Sequence, residues 1–212
     1  MFSFIEGGQY SDKCFKFAQN EWKEFANLKQ KRSGAAGVIF EDNFHIFGGY
    51  SGSGGKSGGR LITTEIISGN GVIIDGPNMP TGLSYHAISN INKMLSIISG
   101  GWGGWGLNRQ TWFYNHKTQQ FSDGPALLQA RMFHASATLA NKLGMYYVYM
   151  LEQKDLSYYY LASIHLIPVV TGGRDYHGRK LDVTEVLGNN WEWKPGRYKC
   201  IKNRHDILES VF

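Results

Sequence analysis

Internal repetition constrains this chain more than any other feature of its sequence. Four of the Gly-Gly pairs in the chain recur in one frame, at Gly7-Gly8, Gly48-Gly49, Gly100-Gly101 and Gly172-Gly173. Successive pairs are 41, 52 and 72 residues apart, and the first two spacings are near the period of about 50 residues found in arrays of small sheets. A unit of that length buries its apolar face only by stacking on a neighbour. The pairs therefore predict a row of similar units rather than one irregular core.

A second pattern follows each pair. A strand residue is followed seven positions later by a large apolar residue, with a turn-rich segment between them. Such a pattern predicts two antiparallel strands joined by a hairpin. A Gly-Pro connector then leads into a His-Ala step that opens the next strand, so one unit reads as a four-stranded antiparallel meander. The spaced residues are Phe15 and Trp22, Ile66 and Ile73, Tyr114 and Phe121, and Val186 and Trp193.

Composition supports short strands and tight turns. The chain has 27 glycines against 5 prolines, and 14% of its residues are aromatic. Glycines favour turns, and aromatic residues are enriched in strands. With 42% hydrophobic and 18% charged residues, the chain is globular rather than disordered. The predicted fold class is all-β.

This arrangement resembles the kelch repeat, in which a Gly-Gly pair ends the second strand and a spaced Tyr and Trp follow. The resemblance covers about residues 6–195 and implies a kelch-type β-propeller built from four-stranded antiparallel blades. In such blades, residues without Cβ let crowded inner backbones approach closely. One blade departs from the motif, since Ile66 and Ile73 replace its aromatic pair. A generic β-sandwich with turn glycines is the alternative fold.

The repeat also predicts domain boundaries. A partial blade covers residues 1–30, blades cover 31–80, 81–129 and 130–195, and an irregular tail covers 196–212. Closed propellers have about 4 to 8 blades, so we expect an incomplete propeller that is a fragment of a larger one. Completion by self-association is the alternative. The total blade number, the closure of the ring and the oligomeric state remain open at this point.

The third blade contains an atypical segment. His134 and Gly172 are 38 residues apart, whereas the equivalent His86 and Gly100 are 14 apart. The excess of 24 residues falls within 144–167, which contains six tyrosines and one glycine. Three interpretations are open: a Tyr-rich hairpin that offers a binding surface, a short helix over residues 150–161, or a translated intron. We favour the intron, because the codons of Gly144 and the two residues after it can form a splice-donor-like string.

Candidate binding residues lie in the loops that follow each glycine pair. In a four-stranded meander these loops and the connectors to the next blade share one face. The three loops are 50–60, 102–109 and 174–180, and the first is Gly/Ser-rich. Tryptophan and arginine on loops of a rigid scaffold are typical of binding hot spots. The candidate partner-binding residues are Trp102, Trp105, Arg109, Arg174, Asp175, Tyr176 and His177.

The expected function is a protein-binding scaffold or adaptor. Some kelch-type propellers are enzymes, so a carbohydrate-binding or sugar-modifying role, mutarotase-like or galactose-oxidase-like, is the alternative. The copper chemistry of a galactose oxidase is disfavoured, because neither Cys14 nor Cys200 lies in a face loop beside Tyr and His. No nucleophile elbow, P-loop, dinucleotide fingerprint or zinc-protease motif occurs in the sequence. We expect no catalytic residues, no metal and no cofactor, with His86 and His134 serving structure once per blade.

Charge and targeting signals are weak. The net charge of +5 comes from scattered residues, so we expect no nucleic-acid partner. Two cysteines near opposite ends and no glycosylation acceptor favour a reducing compartment. Residues 1–10 lack a signal-peptide pattern, and no apolar run is long enough to span a membrane. The predicted location is the cytoplasm, with an extracellular location as the alternative if a leader has been lost.

Overall fold

The computed structural model describes residues 3–6, 10–52, 59–139, 148–150, 157–159, 167–188 and 190–199. All regular elements within them are strands, which confirms the predicted all-β class. The strands are β1 (Ser3–Glu6), β2 (Ser11–Ala18), β3 (Glu21–Arg32), β4 (Ala36–Phe40), β5 (Asn43–Phe47), β6 (Thr64–Ile67), β7 (Ile73–Asp75), β8 (Ala87–Asn90), β9 (Leu95–Ser99), β10 (Trp102–Gly103), β11 (Gly106–Leu107), β12 (Thr111–Asn115), β13 (Gln120–Gly124), β14 (Ala135–Leu139), β15 (Val148–Met150), β16 (Ser157–Tyr159), β17 (Ile167–Thr171), β18 (Val183–Leu187) and β19 (Trp193–Lys199).

Three four-stranded antiparallel sheets form the repeat. Blade 1 is β4-β5-β6-β7, blade 2 is β8-β9-β12-β13, and blade 3 is β14-β17-β18-β19. A three-stranded sheet, β1-β2-β3, precedes them and packs on β6 and β7 of blade 1. The predicted hairpin between the third and fourth strands is present in each blade. In blade 2 the spaced residues Tyr114 and Phe121 lie directly opposite each other.

The blades stack with their first strands side by side. Strand β8 lies beside β4 on one side and beside β14 on the other. The first strands of the three blades thus lie at the inner edge of the stack. Within each blade the chain then runs outward from the first strand to the fourth. This radial order of separate, face-packed sheets is the arrangement of propeller blades.

The hydrophobic core is divided among the spaces between sheets. The cluster between blades 1 and 2 is Val38, Phe47, Met79, Leu83, Ile98, Trp112 and Tyr114. The cluster between blades 2 and 3 is Ile91, Ile97, Leu127, Val170, Leu187 and Trp193. Each cluster draws side chains from two neighbouring sheets, because a sheet with two buried faces must cover both with apolar residues. A single blade therefore has no complete core of its own.

The glycine pairs occupy the tightest point of each blade. Both glycines of the pair in blade 2 have positive φ, 59° at Gly100 and 90° at Gly101. A Cβ on Gly101 would lie 2.7 Å from the His86 Cβ and 2.8 Å from the Ser84 carbonyl oxygen. Glycine is needed here for its left-handed backbone and for space. The equivalent Gly173 would meet the Met132 carbonyl oxygen at 2.6 Å, so the constraint recurs in the next blade.

Buried ion pairs anchor the connectors that enter blades 1 and 3. Arg32 is fully buried, pairs with Glu65, and donates through Nη1 to the Gly48 carbonyl at 2.6 Å. Arg131 repeats this arrangement, with Glu185 as its partner and the Gly172 carbonyl at 2.8 Å from Nη1. Each arginine therefore ties a connector to the first glycine of a pair and to the third strand of the blade.

Several sequence predictions fall partly or wholly outside the described residues. The pair Gly7-Gly8 lies outside them, as do most of the segment 144–167 and the tail beyond Lys199. Within the segment, β15 pairs antiparallel with β16. Strand geometry at 157–159 disagrees with a helix across residues 150–161. No helix long and apolar enough to cross a bilayer occurs among the described residues.

Candidate functional site

The face that carries the glycine-pair loops is built by one repeated backbone contact. The first residue after each of the three described pairs forms a β-bridge to the connector that enters the same blade. The bridges join Ser33 to Tyr50, Ser84 to Trp102, and Met132 to Arg174. Loops and connectors are thereby held at one end of the blades, as the meander topology predicts.

Loops from three blades meet at Trp102. Its half-buried indole stacks on Tyr176 of the next blade, with ring centroids 6.1 Å apart and planes inclined by 11°. The guanidinium carbon of Arg60, from the loop of blade 1, lies 5.9 Å from the Trp102 ring centroid. Aromatic stacking and a cation over an aromatic face are both favourable contacts. The contacts among these three side chains link the loops of consecutive blades, and we call the group the Trp102 cluster.

Exposed aromatic surface surrounds the Trp102 cluster. Trp105 stands fully exposed in the tight turn between β10 and β11. That hairpin leans toward Tyr176, since a Cβ on Gly106 would lie 3.8 Å from the tyrosine ring. Tyr176 itself is 68% exposed and makes an edge contact with His177, at 5.7 Å between centroids. Large aromatic side chains left exposed on a braced loop are a common feature of binding surfaces.

Asp175 has a different environment from its neighbours in the loop. Its buried carboxylate accepts hydrogen bonds from the backbone N–H groups of His177 and Arg179, both at 2.9 Å. The Arg179 Nε donates a third bond at 2.6 Å. Burial raises the pKa of Asp175, but these hydrogen bonds outweigh burial and hold the pKa below its usual value. Its bonds therefore brace the loop 174–180 from within.

The predicted arginines differ in their roles. Arg174 pairs through its backbone with Met132 and Lys180, and its Nη1 donates to the Gly178 carbonyl at 3.1 Å. Arg109 exposes its side chain, while its carbonyl accepts from the Leu127 N–H at 2.8 Å. None of the ring contacts described for this face involves Arg109. The structure thus brings Trp102, Tyr176 and His177 together, with Trp105 beside them and Arg109 apart.

Sequence reasoning missed two features of this face. Arg60 was grouped with a flexible Gly/Ser loop, although it contacts the Trp102 ring. The buried ion pairs were also missed, yet a signal for them exists. The pattern Leu-x-Gln-x-Arg recurs at 28–32 and 127–131, and a Thr-Glu step recurs at 64–65 and 184–185. Aligning the blades on both patterns would have paired each arginine with its glutamate.

The repeated histidines His86 and His134 are both buried. His134 is buried, and its Nε2 lies 3.0 Å from the Ser99 hydroxyl of the preceding blade. Burial, Arg131 and His86 lower the pKa of His134 to about 3, and burial lowers that of His86 to about 4. Both rings are therefore neutral at pH 7. Among the described residues no group of three or more His, Cys, Asp or Glu side chains is placed to hold a metal ion.

Comparison with known proteins supports the fold. No protein-family model matches the chain. A stretch of 110 residues, 51% of the chain, is 26% identical to spermatocyte protein spe-26 of Caenorhabditis elegans and covers 18% of that protein. The structure is similar to that of YjhT, with a TM-score of 0.64 and 13% identity over 94% of this chain and 64% of YjhT. The chain therefore spans less than two thirds of either relative.

YjhT is a β-propeller, so this likeness establishes a propeller-like fold for the chain. This confirms the prediction of an all-β structure with four-stranded antiparallel sheets arranged as in a propeller. At 13% identity the likeness carries information on fold alone.

Proposed function

We propose that this chain is part of a kelch-type propeller and acts as a protein-binding scaffold through the face of the Trp102 cluster. The observation that supports this role is the meeting of loops from three consecutive blades at Trp102. A surface assembled from several blades is rigid, because each loop is bridged to a connector. Rigid presentation of aromatic side chains reduces the entropy that binding must overcome.

The charge of the face suggests the character of the partner. Arg60, Arg109, Arg174, Arg179 and Lys180 lie in its loops, and Asp175 is already paired with Arg179. The face is thus rich in cationic and aromatic groups. Such a surface favours a partner segment that combines apolar side chains with acidic ones.

A binding role is proposed in preference to a catalytic one. The buried carboxylate of Asp175 has its oxygens occupied by three donors, and the neutral His134 is engaged with Ser99. General acid-base chemistry requires a titratable group that reaches the substrate with a pKa near the working pH. Asp175 and His134, whose pKa values are shifted, instead make hydrogen bonds within the chain.

Quantitative pull-down tests the proposal. The immobilised chain is compared with the variant Trp105→Ala/Tyr176→Ala, and each protein retained from cell extract is measured. Trp22→Ala is the matched control, since Trp22 is also exposed but lies in the sheet β1-β2-β3. We expect a specific partner to be lost from the double variant, with more than tenfold weaker retention for two hot-spot aromatics, and to be kept by the control. Equal retention by all three proteins would reject this face as the binding site.

The stacked aromatic faces also support the second candidate, carbohydrate binding. Trp105 and Tyr176 present flat apolar surfaces beside hydrogen-bonding arginines, and specific ligand sites combine such surfaces with a few polar groups. A glycan array probed with the same three proteins separates the candidates. Glycan binding that depends on Trp105 and Tyr176 would favour this candidate over a protein partner.

A further inference from the structure

A cleft lies between blades 1 and 2 at the end of the sheets opposite the glycine-pair loops. It is lined by the turn after β4, the hairpin of β6 and β7, and the turn after β12. Its volume is about 170 Å³. The cleft is therefore separate from the Trp102 cluster and independent of the function proposed above.

Four of the nine residues that line this cleft are apolar, and two of these four are more than half exposed. Val72 and Ile74 are 55% and 51% exposed. Ile66 and Phe40 complete the apolar lining. The Phe40 ring stacks on His116 with 4.5 Å between centroids and 9° between planes, so one wall is a fixed aromatic surface. Grouped apolar residues that leave a concave surface open are typical of sites that bind a small apolar group.

Two buried histidines line the cleft together with the polar residues Asn43, Ser68 and Gln119. His45 and His116 are each 4% exposed, and their ring centroids lie 4.9 Å apart. The Nε2 of His116 is 2.6 Å from the Ser96 hydroxyl. The ring of His45 makes no hydrogen bond among the described residues, and its enclosed Nδ1 is without a partner. Because the His45 ring lines the cleft, its other nitrogen, Nε2, is the one left for a hydrogen bond to a ligand there.

The charge state of these rings limits the ligand. Burial lowers the pKa of both histidines to about 4, and in His45 the neighbouring His116 lowers it further. Both are uncharged at neutral pH and give no attraction to an anion. A neutral imidazole has one donor and one acceptor nitrogen. A hydroxyl group both donates and accepts, so it can pair with the Nε2 of His45 in either tautomer.

We propose that this cleft binds a small free phenol: one neutral aromatic ring packed against Phe40 and the aliphatic walls, with its hydroxyl on Nε2 of His45. The volume agrees with this ligand, because a cavity of about 150 Å³ with apolar walls admits benzene. A ring parallel to Phe40 or edge-on to it makes the aromatic contacts that such rings favour. A larger ligand would extend into solvent past Val72.

Titration with p-cresol, followed by the NMR signals of the histidine rings, tests this site. Toluene is the matched ligand, since it keeps the ring and lacks the hydroxyl. We expect p-cresol to shift the His45 and His116 signals and to bind about two- to tenfold more tightly than toluene, the equivalent of one net hydrogen bond. In His45→Phe the two affinities should become equal. Equal affinities in the unaltered protein, or no binding of p-cresol up to its solubility, would overturn the proposal.

A second variant guards against misfolding at a buried position. Val72→Trp fills the cleft from an exposed position, and Val183→Trp makes the same change at an exposed position in blade 3. We expect p-cresol binding to be lost in the first and kept in the second. Binding retained in both would place p-cresol elsewhere and reject the site. N-acetyl-tyrosinamide, which mimics a tyrosine within a protein, is tested as a third ligand. If it binds more tightly than p-cresol, the assignment to a free small molecule is wrong and a tyrosine of a partner protein is indicated.

Discussion

Blades 2 and 3 solve the same structural problem with different chemistry. In blade 3, the buried Arg131 of the connector pairs with Glu185 on the third strand. At the equivalent places in blade 2, Leu83 packs with Trp112 in the core between blades 1 and 2. Blade 1 follows blade 3, with Arg32 and Glu65. In each blade, the side chain four residues before the first strand therefore fills a buried space and holds the connector in place. An ion pair is one way to do this, and apolar packing is another.

The backbone explains which solution each blade adopts. The Glu185 carboxylate accepts from the N–H of Leu128 at 2.6 Å, as the Glu65 carboxylate accepts from the N–H of Lys29 at 2.7 Å. The equivalent connector residue in blade 2 is Pro80, which has no N–H to donate. Without that donor, blade 2 needs no buried acceptor. An apolar Trp112 can then replace glutamate, in keeping with the small net stability of buried ion pairs relative to apolar packing.

Removing one partner of the pair should have the largest effect. In Arg131→Met, the buried Glu185 loses its countercharge while staying enclosed by the connector. We expect a loss of about 3–5 kcal/mol in the free energy of unfolding, the usual effect of breaking a buried pair. Urea denaturation measures it, with Arg109→Met as the exposed control, expected within about 0.5 kcal/mol of the unaltered protein. A loss below that control's range would show that the pair is dispensable.

The glycine pair is common to both blades, so its loss should have similar effects in each. In Gly101→Ala and in Gly173→Ala, a Cβ meets backbone carbonyl oxygen within 3 Å at positive φ. We expect each to reduce stability by about 1–3 kcal/mol through backbone strain. Gly104→Ala is the control, since a Cβ there meets nothing within 4 Å. Thermal unfolding of the three variants compares them, and a neutral Gly173→Ala would contradict the shared constraint.

Copying blade 2 into blade 3 should recover most of the stability lost with Arg131. The triple variant Leu128→Pro/Arg131→Leu/Glu185→Trp removes both charges and one of the two backbone N–H groups, those of Leu128 and Gln129, that donate to Glu185. We expect it to unfold within about 1–3 kcal/mol of the unaltered protein, the usual strain of an altered core volume. The double variant that keeps Leu128 should be less stable than the triple variant, because a buried N–H then lacks its acceptor. Urea denaturation of both proteins tests that order.

A further difference between the blades concerns stability in acid. Blades 2 and 3 have His86 and His134 where blade 1 has Ala35. The folded pKa of His134, about 3, lies below the unfolded value of 6.5, so the unfolded chain binds the proton more readily. Stability is fully present above pH 6.5 and falls as the pH drops toward 3, by about 1.4 kcal/mol per pH unit for each such histidine.

His134→Ala places the alanine of blade 1 in blade 3. We expect it to reduce the dependence of stability on pH by about 1.4 kcal/mol per pH unit, the contribution of one proton. Denaturation midpoints at several pH values between 4.5 and 7 measure the slope. His177→Ala is the control for replacing a histidine at an exposed position. An unaltered slope in His134→Ala would mean that His134 is protonated in the folded chain.

The sequence predicted the features that depend on local geometry. The hairpin of Tyr114 and Phe121 and the strands before three of the glycine pairs were found because turns and short apolar runs leave a direct pattern in the chain. The partners of Trp102 could not be found in this way. Arg60 and Tyr176 lie 42 residues before it and 74 after it, and no local pattern records a contact across three blades.

The role of Asp175 was also beyond the sequence. An aspartate between an arginine and a tyrosine has the composition of a binding residue, and only the folded loop shows that backbone N–H groups occupy its carboxylate. The cleft near His45 was missed for a related reason. Its walls come from two blades, and the lack of a hydrogen-bond partner for the His45 ring is a property of packing rather than of residue type.

The repeated glycine pairs by themselves determined that this chain forms successive four-stranded sheets, because a left-handed, crowded backbone position tolerates no other residue. The sequence likewise contained the two Arg and Glu pairs, as a pattern that recurs with the blades. Tertiary structure decided which side chains meet between blades. A blade buries its faces only against its neighbours, so the Trp102 cluster and the cleft at His45 exist only once the blades are stacked.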